Sequence, residues 1–333
     1  MAKMIPEFVS SPAIKRYKGG EPVLSKEHIS FESDCVFNAG VTKYQGKYIM
    51  AFRNDYDYQG GDKFGQHVVQ IAFSDDGIKW DVLPRPFLTM EMMDDPDITQ
   101  IYDARLIEIE GRCYVSFAVN TGHGVRGIIA VTDDFEHIKI LHRTVPDNRN
   151  IVLFPERIGG SYIRLERPFP LYSRHAELFD IWLSRSPDLR YWGDSRLLLG
   201  VEEVPFSNNK LGPAAPPLRT EQGWLTLFHG VFKSDVQEKF GWGDHWDKCY
   251  CAGIMLLDLE DPSKVIGLSR EPLIAPETVW ETELGYRTNV IFPGGCILED
   301  DGSVKIYYGA SDTFVCLATA SVEDLLSLCA WPK

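Results

Sequence analysis

The hydrophobic and polar positions of the chain follow one short pattern that recurs five times. Each copy has an apolar strand, a turn that contains a glycine, and a second strand rich in aromatic and β-branched residues. The copies read VTKYQGKYIMAF, RLIEIEGRCYVSF, ERIGGSYIRL, LRTEQGWLTLF and ILEDDGSVKIYY. Glycine supplies the positive φ that a tight hairpin turn needs. The pattern therefore predicts five β-hairpins, whose turn glycines are Gly46, Gly111, Gly160, Gly223 and Gly302.

Four of the hairpins are followed by a second pattern, which has a strand of small residues, an acidic or serine-containing turn, and another apolar residue. The copies read IAFSDDGIKW, AVTDDFEHIKI, LSRSPDLRYW and LLDLEDPSKV, and the fifth counterpart, ATASVEDLLSL, reads as a closing helix. Each unit thus supplies about four antiparallel strands, which is typical of one propeller blade. A β-sandwich is the alternative, but five paired copies favour an all-β, five-bladed β-propeller with a short C-terminal helix.

No linker interrupts this pattern, so the sequence predicts a single domain that spans residues 1–333. One stretch departs from the repeat. The segment Val231–Lys248 is long, polar and aromatic, and we predict a loop over one face of the domain there.

The repeat also brings polar residues into register. In a hairpin, the start of the first strand and the end of the second strand lie at the same end. Eight residues before Gly46 lies Asn38, and eight residues before Gly111 lies Asp103. The ends of the second strands carry Arg53, Arg167, His229 and Asp312. Each of these residues alone would simply satisfy a neighbouring loop, but six in register favour a shared polar site on one face, near the axis.

Charge and composition narrow the range of partners. The formal net charge of −14 disfavours nucleic acid and anionic membranes. No apolar run approaches the ~18 residues that a membrane span needs, and the first residues do not read as a secretory signal. The seven cysteines are scattered and the eight histidines lack ligand spacing, so we predict reduced thiols and no metal or cofactor. We expect a cytoplasmic protein, and a homo-oligomer is compatible with the sequence.

The candidate chemistry is glycoside cleavage. The run IYDAR places Asp103 at a strand entry, where it can donate the proton that a leaving glycosidic oxygen needs. The reaction also needs a second carboxylate or a nucleophile that requires no activation. Arg149, Arg167 and Lys210 lie in loops or at strand ends on the same predicted face. Three unrelated surface cations are one interpretation; the other is a site for a dianion such as phosphate, which needs no protein base.

Seven motifs occur in a specific order along nearly the whole chain: VFNAG, AFRND, YDARL, NRNIVLFPERIGGSYIRLERP, FHGV, NVIFPGG and YYGASDT. In these the chain resembles glycoside hydrolase family 130, the β-mannoside phosphorylases and related β-mannosidases. The resemblance implies a five-bladed propeller with one acidic catalyst, at Asp103. It also implies inverting phosphorolysis of a manno-oligosaccharide or a mannosyl-glucose, with inorganic phosphate as co-substrate and α-mannose 1-phosphate as product. The residues that it implies for phosphate are Arg149, Arg167, Lys210, His229 and Tyr250, and those for the cleaved mannose are Asn38, Arg53, Tyr102 and Asp312.

Alternatives stay open at this point. Family members that hydrolyse lack the basic set and use glutamates as the base, so the three cations favour phosphorolysis over an inverting β-mannosidase. A propeller that binds sugar without cleaving it is a minor third alternative. Ala39 stands where many members have serine, and Trp242, His245 and Trp246 in the long segment leave the acceptor and the linkage open. The proton passes either directly from Asp103 or through a hydroxyl of the bound mannose.

Overall fold

The computed structural model describes residues 4–171, 174, 177–238, 241–243 and 245–329. Within these residues the regular secondary structure is almost entirely β-strand. The first nine strands are β1 (Lys15–Arg16), β2 (Cys35–Tyr44), β3 (Lys47–Gly60), β4 (Lys63–Ser74), β5 (Asp81–Val82), β6 (Ile98–Ile109), β7 (Arg112–Thr121), β8 (Gly124–Thr132) and β9 (Lys139–Arg143). The next nine are β10 (Asn148–Leu153), β11 (Tyr162–Pro168), β12 (Ile181–Ser186), β13 (Gly193–Leu199), β14 (Lys210–Pro213), β15 (Leu218–Arg219), β16 (Trp224–Glu238), β17 (Trp246–Leu257) and β18 (Val265–Leu268). The chain continues with helix α1 (Val279–Thr282), strands β19 (Ile291–Leu298), β20 (Ser303–Ala310) and β21 (Phe314–Ser321), and helix α2 (Val322–Ser327).

These strands form four sheets. Three of them follow chain order, with the strand orders β6-β7-β8-β9, β10-β11-β12-β13 and β14-β16-β17-β18, the last with β15 on β16. The fourth sheet has the order β1-β21-β20-β19-β2-β3-β4-β5, in which β19 and β2 pair in parallel at Gly295 and Val41. This one parallel contact joins the last antiparallel unit of the chain to the first. The described strands thus make five antiparallel units, and no sheet closes on itself.

The predicted hairpin turns are confirmed. Each of the five turn glycines has a positive φ, which ranges from 76° at Gly111 to 157° at Gly223. The predicted closing helix is also confirmed as α2, where the Ser321 side chain accepts a hydrogen bond from the Asp324 backbone amide at 3.0 Å. None of the helices in the described part of the chain is long and apolar enough to cross a membrane.

The apolar core is divided into layers between consecutive units. One layer packs Ile49 of the first unit with Val115 of the second, and another packs Phe154 of the third with Trp224 of the fourth. Further layers join the second unit to the third and the fourth to the fifth. A last layer packs Met50 of the first unit with Tyr307 of the fifth. Each unit therefore buries apolar side chains against both neighbours, and the last unit packs on the first.

The innermost strands share one irregularity. The pairing register shifts at Asn38 in β2, at Asp103 in β6 and at Asn150 in β10. All three residues have left-handed backbone conformations, with φ values of 49°, 55° and 56°. Asn and Asp tolerate this conformation better than other side chains, and a β-bulge re-aims the side chain that it carries. The bulges therefore turn equivalent polar side chains in three units toward one place.

The loop predicted over Val231–Lys248 is wrong in most of its length. Strand β16 continues to Glu238 and β17 begins at Trp246, so the segment is chiefly the outer part of a long hairpin. The tip docks on distant aromatic residues, because the Trp242 ring lies 5.1 Å from Tyr58 and 4.9 Å from Tyr286. Residues 239, 240 and 244 of the predicted loop lie outside the described residues.

Candidate active site

The ends of the inner strands bring the predicted catalytic residue into contact with neighbouring units. The Asn38 amide on β2 donates to Oδ1 of Asp103 on β6 at 3.0 Å. Nη1 of Arg53, a residue of β3, lies 3.9 Å from the same oxygen. The Asp103 side chain keeps 16% of its surface exposed, so its carboxyl group is both held in place and accessible.

Asp103 faces a cavity of about 110 Å³. Eight of the ten predicted site residues line it, namely Asn38, Arg53, Tyr102, Asp103, Arg149, Arg167, Tyr250 and Asp312. The cavity is also lined by five residues that the sequence analysis did not select, namely Asn150, Trp246, Arg287, Val290 and Phe292. Five of the six residues selected by the repeat register therefore line one cavity, although they come from distant parts of the chain.

The two remaining predicted residues lie behind the cavity wall. His229 is fully buried, and Nε2 of its ring lies 3.0 Å from Nη1 of Arg167. Burial and then the Arg167 charge hold the pKa of His229 well below its usual range. The imidazole is therefore neutral and accepts a hydrogen bond from the guanidinium. Lys210 lies beside this pair, with its ammonium 4.6 Å from the centre of the Phe179 ring.

The side of the site around Arg53 pairs its charges. Arg53 contacts the Asp55 carboxylate at 2.6 Å, and Asp55 also accepts from His67 at 3.0 Å. Burial opposes the Arg53 charge, but Asp55 and Asp103 outweigh burial and raise the pKa of the guanidinium. Burial likewise acts against the charged form of Asp55, but Arg53 and His67 outweigh it and lower the pKa of that carboxyl. Asp312 lies 3.4 Å from Arg287, yet burial still raises its pKa.

The opposite side of the site gathers positive charge. Burial, and then the neighbouring Arg149, lowers the pKa of Arg167. Burial, and then Arg167 and Arg149, lowers the pKa of Lys210 to about 7. Among the described residues, none of the three cations forms an ion pair with a carboxylate, and their closest charged neighbours include one another. Buried cations that repel one another provide the setting in which a bound anion is stabilised most.

Several buried polar atoms at the site have no hydrogen-bond partner among the residues that the structure describes. They are Asn38 Oδ1, Arg149 Nε, Arg167 Nε, His229 Nδ1 and Trp246 Nε1. Buried polar groups are normally satisfied, so a concentration of unsatisfied ones at a single cavity indicates groups that a ligand completes. The set contains an acceptor, Asn38 Oδ1, and several donors, of which two are arginine nitrogens. This combination suits a ligand that has hydroxyl groups and an anionic part.

A second cavity of about 210 Å³ adjoins the first. The two cavities share Arg53, Tyr102, Arg149, Arg287 and Asp312. The second cavity is lined in addition by Phe37, Asp55, Asp62, Phe64, His67, Gln100, Asn120 and Tyr286. Its walls combine aromatic rings with carboxylate, amide and imidazole groups, which are the side chains that bind sugars through stacking and hydroxyl recognition.

Arg287, which the sequence analysis missed, and Trp246, which it named only for the acceptor, connect different parts of the site. Arg287 contacts the carboxylates of Asp62 at 2.8 Å and Asp312 at 3.4 Å, and it lies over the Trp246 ring at 4.7 Å. Trp246 stacks on Tyr250, with ring centroids 6.2 Å apart. Arg287 lies between α1 and β19, outside the strand ends that the register argument examined. An arginine two residues before the NVIFPGG motif was the available signal, but only tertiary contacts place it here.

Comparison with known proteins identifies the family. The family model described as β-1,4-mannooligosaccharide phosphorylase, glycoside hydrolase family 130, matches residues 10–331. The chain belongs to glycoside hydrolase family 130. It is 32% identical over 314 residues to a β-1,4-mannooligosaccharide phosphorylase from Ruminococcus albus, covering 92% of this chain and 88% of that protein. It is 29% identical over 325 residues to a 1,2-β-oligomannan phosphorylase from a Thermoanaerobacter species, covering 94% and 98%.

Solved structures agree with this family 130 assignment. The β-1,2-mannobiose phosphorylase from Listeria innocua, in complex with β-1,2-mannobiose, matches with a TM-score of 0.80 and 26% identity. The match covers 95% of this chain and 99% of that chain. The family therefore contains relatives that are named for different linkages, and this chain is similar to both kinds.

Proposed function

We propose that this family 130 enzyme cleaves a β-mannoside by inverting phosphorolysis and releases α-mannose 1-phosphate, with Asp103 as the general acid. The observation that carries the proposal is the arrangement of the 110 Å³ cavity, which is lined by the Asp103 carboxyl group, held by Asn38, and by Arg149 and Arg167, which form no ion pair with a described carboxylate. The names of the relatives, which are phosphorylases of β-mannosides, support the same reaction class.

In this mechanism the cleaved mannose lies between Asp103 and the cations. Asp103 donates its proton to the glycosidic oxygen, directly or through a hydroxyl of the bound mannose, while the bond from C1 to that oxygen breaks. Phosphate attacks C1 from the opposite face and forms the new bond from C1 to oxygen. Arg149 and Arg167 hold the phosphate through forked donors, and Lys210 adds a third charge behind them.

The other carboxylates of the site support phosphate over a protein base. Asp55 is bound by Arg53, and Asp62 and Asp312 both face Arg287. Among the residues that the structure describes, no glutamate lines either cavity. A hydrolytic enzyme would need a carboxylate free to activate water, whereas phosphate brings its own negative charge and nucleophilic oxygen.

The leaving sugar is assigned to the 210 Å³ cavity, because that cavity adjoins the one that holds Asp103 and shares Arg53 and Tyr102 with it. We also propose that the five antiparallel units are the blades of a five-bladed propeller. The support is the division of the core, in which every unit packs on both neighbours and the last packs on the first. The bulged inner strands then surround the axis, where the two cavities lie.

The synthetic direction tests this function and finds the linkage. The protein is incubated with α-mannose 1-phosphate and, separately, mannose, glucose, β-1,2-mannobiose and β-1,4-mannobiose, and released phosphate is measured. We expect phosphate release with at least one acceptor, and the glycosidic linkage of that product gives the natural bond. Absence of release with every acceptor, together with cleavage of mannobiose in phosphate-free buffer, would contradict phosphorolysis.

A further inference from the structure

A chain of hydrogen bonds follows the wall of the 210 Å³ cavity. The Tyr102 hydroxyl donates to Oδ1 of Asn120 at 2.7 Å. Nδ2 of Asn120 donates to Oε1 of Gln100 at 2.6 Å. Nε2 of Gln100 lies 3.1 Å and 3.2 Å from the two ring nitrogens of His67. Three neighbouring strands, β4, β6 and β7, contribute these residues, so the chain crosses from one unit of the fold to the next.

The direction of the chain follows from its acidic end. Nδ1 of His67 lies 3.0 Å from Oδ1 of Asp55, and a carboxylate of lowered pKa can only accept. Nδ1 therefore donates to Asp55, and we assign Nε2 as the ring nitrogen that accepts from the Gln100 amide. Every donor from Tyr102 to His67 then points the same way, toward Asp55. Chains with one direction polarise their members and strengthen each bond.

The other end of the chain reaches the cation cluster. Nη1 of Arg149 lies 3.3 Å from the Tyr102 hydroxyl oxygen. Since Asn120 takes the hydroxyl proton, that oxygen offers a lone pair to the guanidinium. Without the chain, the hydroxyl could rotate and turn its proton toward Arg149, which would remove the contact. The Nε atom of Arg149 has no hydrogen-bond partner among the described residues.

We propose that Gln100 and Asn120 are positioning residues, which fix the Tyr102 hydroxyl so that it holds Arg149 for phosphate. Both line the second cavity and neither lines the cavity that holds Asp103, so they act through Tyr102 rather than on the reacting atoms. This inference rests on the proposed function, because it assumes that Arg149 binds phosphate.

The test measures the affinity of inorganic phosphate by titration calorimetry, which does not depend on turnover. Gln100→Leu removes two bonds of the chain at nearly constant volume, and we expect phosphate binding about two- to tenfold weaker, the value of one ordinary hydrogen bond. The KM for phosphate should rise by the same factor. Asn120→Leu breaks the next bond and should give the same loss, so the test does not depend on one variant folding.

A cycle with Tyr102→Phe separates positioning from a general structural effect. In the Tyr102→Phe protein the hydroxyl is gone, so Gln100→Leu should cause no further loss of phosphate affinity. Gln222→Leu, on an exposed turn, is the matched control and should bind phosphate as the parent does. Equal phosphate binding by the parent and Gln100→Leu, or additive losses with Tyr102→Phe, would overturn the inference and leave the proposed function intact. A parent protein that does not bind phosphate would overturn both.

Discussion

The two sides of the site differ in whether their charges are paired with opposite charges of the protein. On one side, Arg53 contacts Asp55 and lies near Asp103, and His67 completes the group, so positive and negative charges alternate. On the other side lie Arg149, Arg167 and Lys210, and the neutral His229 accepts a hydrogen bond from Arg167. On the first side the charges are paired within the protein, whereas on the second side the cations have no carboxylate partner among the described residues.

This difference explains why the two sides should respond differently to substitution. A partner removed from the paired side leaves a buried charge alone, which destabilises the fold. Removing a cation from the unpaired side relieves repulsion, so it should weaken ligand binding more than it weakens the fold. Stability and phosphate affinity therefore separate the two sides experimentally.

The largest effect is expected on turnover at Asp103, where the two sides meet. Asp103→Asn keeps the shape of the side chain and an oxygen that can accept from Asn38, but it removes the acid. We therefore expect kcat to fall by ~10²–10⁴-fold. Phosphate affinity, measured by calorimetry, should stay close to that of the parent because the cations are untouched. Asp133→Asn, at an exposed ion pair, is the control and should keep full activity. A kcat for Asp103→Asn near that of the parent would remove the catalytic assignment.

The paired side should show the next largest effect, on stability. Asp55→Ala leaves Arg53 buried without its carboxylate and His67 without its acceptor. We expect the free energy of unfolding, from urea denaturation, to fall by about 3–5 kcal/mol. Asp301→Ala, on an exposed turn, should change it by less than about 1 kcal/mol. A loss at Asp55 no greater than that at Asp301 would show that the pairing contributes little.

The unpaired side should lose affinity instead. Arg167→Ala removes charged donors to phosphate, which are each worth about 1.5–3 kcal/mol, so the KM for phosphate should rise about 10- to 100-fold. Arg167 is buried and donates to His229, so urea denaturation without phosphate should show a loss in the free energy of unfolding that is smaller than the loss caused by Asp55→Ala. Arg112→Ala, at the surface, should leave both quantities unchanged. An Arg167→Ala protein that is strongly destabilised without phosphate would contradict the contrast between the two sides.

The smallest expected effect is a pH dependence at Lys210. Burial and the neighbouring arginines lower its pKa to about 7, so the ammonium loses its proton as pH rises through that value. Phosphate affinity should therefore decrease by up to about tenfold as the pH rises from below neutrality to above it, because one charged donor is lost. Lys210→Arg keeps its charge over this range and should flatten the profile of KM against pH. The same steep profile in both proteins would assign the titration to another group.

The repeat made the hairpins of the fold predictable, and its register selected five of the residues that line the 110 Å³ cavity. The turn glycines fixed the hairpins, and counting from Gly46 and Gly111 found Asn38 and Asp103, because a two-residue turn separates the paired strands. Asn150, at the equivalent bulge, was missed for a physical reason. The connection from β10 to β11 is longer, since β10 ends at Leu153 and β11 begins at Tyr162, so the same offset selects the wrong residue.

Residues on the connections could not be predicted by register at all. Arg287 reaches the site through Asp62 and Asp312, which come from the first and last units of the chain. The segment predicted as a loop became two strand extensions because its tip packs on Tyr58 and Tyr286. Tyr58 and Trp242 are more than 180 residues apart in the sequence. No local pattern encodes a contact between such distant segments.

The most direct test of the central claim follows the anomeric proton signals of β-1,2- and β-1,4-mannobiose during incubation with the protein, with and without inorganic phosphate. We predict that α-mannose 1-phosphate accumulates from one of the two disaccharides only when phosphate is present, and that almost no disaccharide is consumed in its absence. Release of free mannose at the same rate without phosphate would contradict the account, because the cations would then have no role in the reaction.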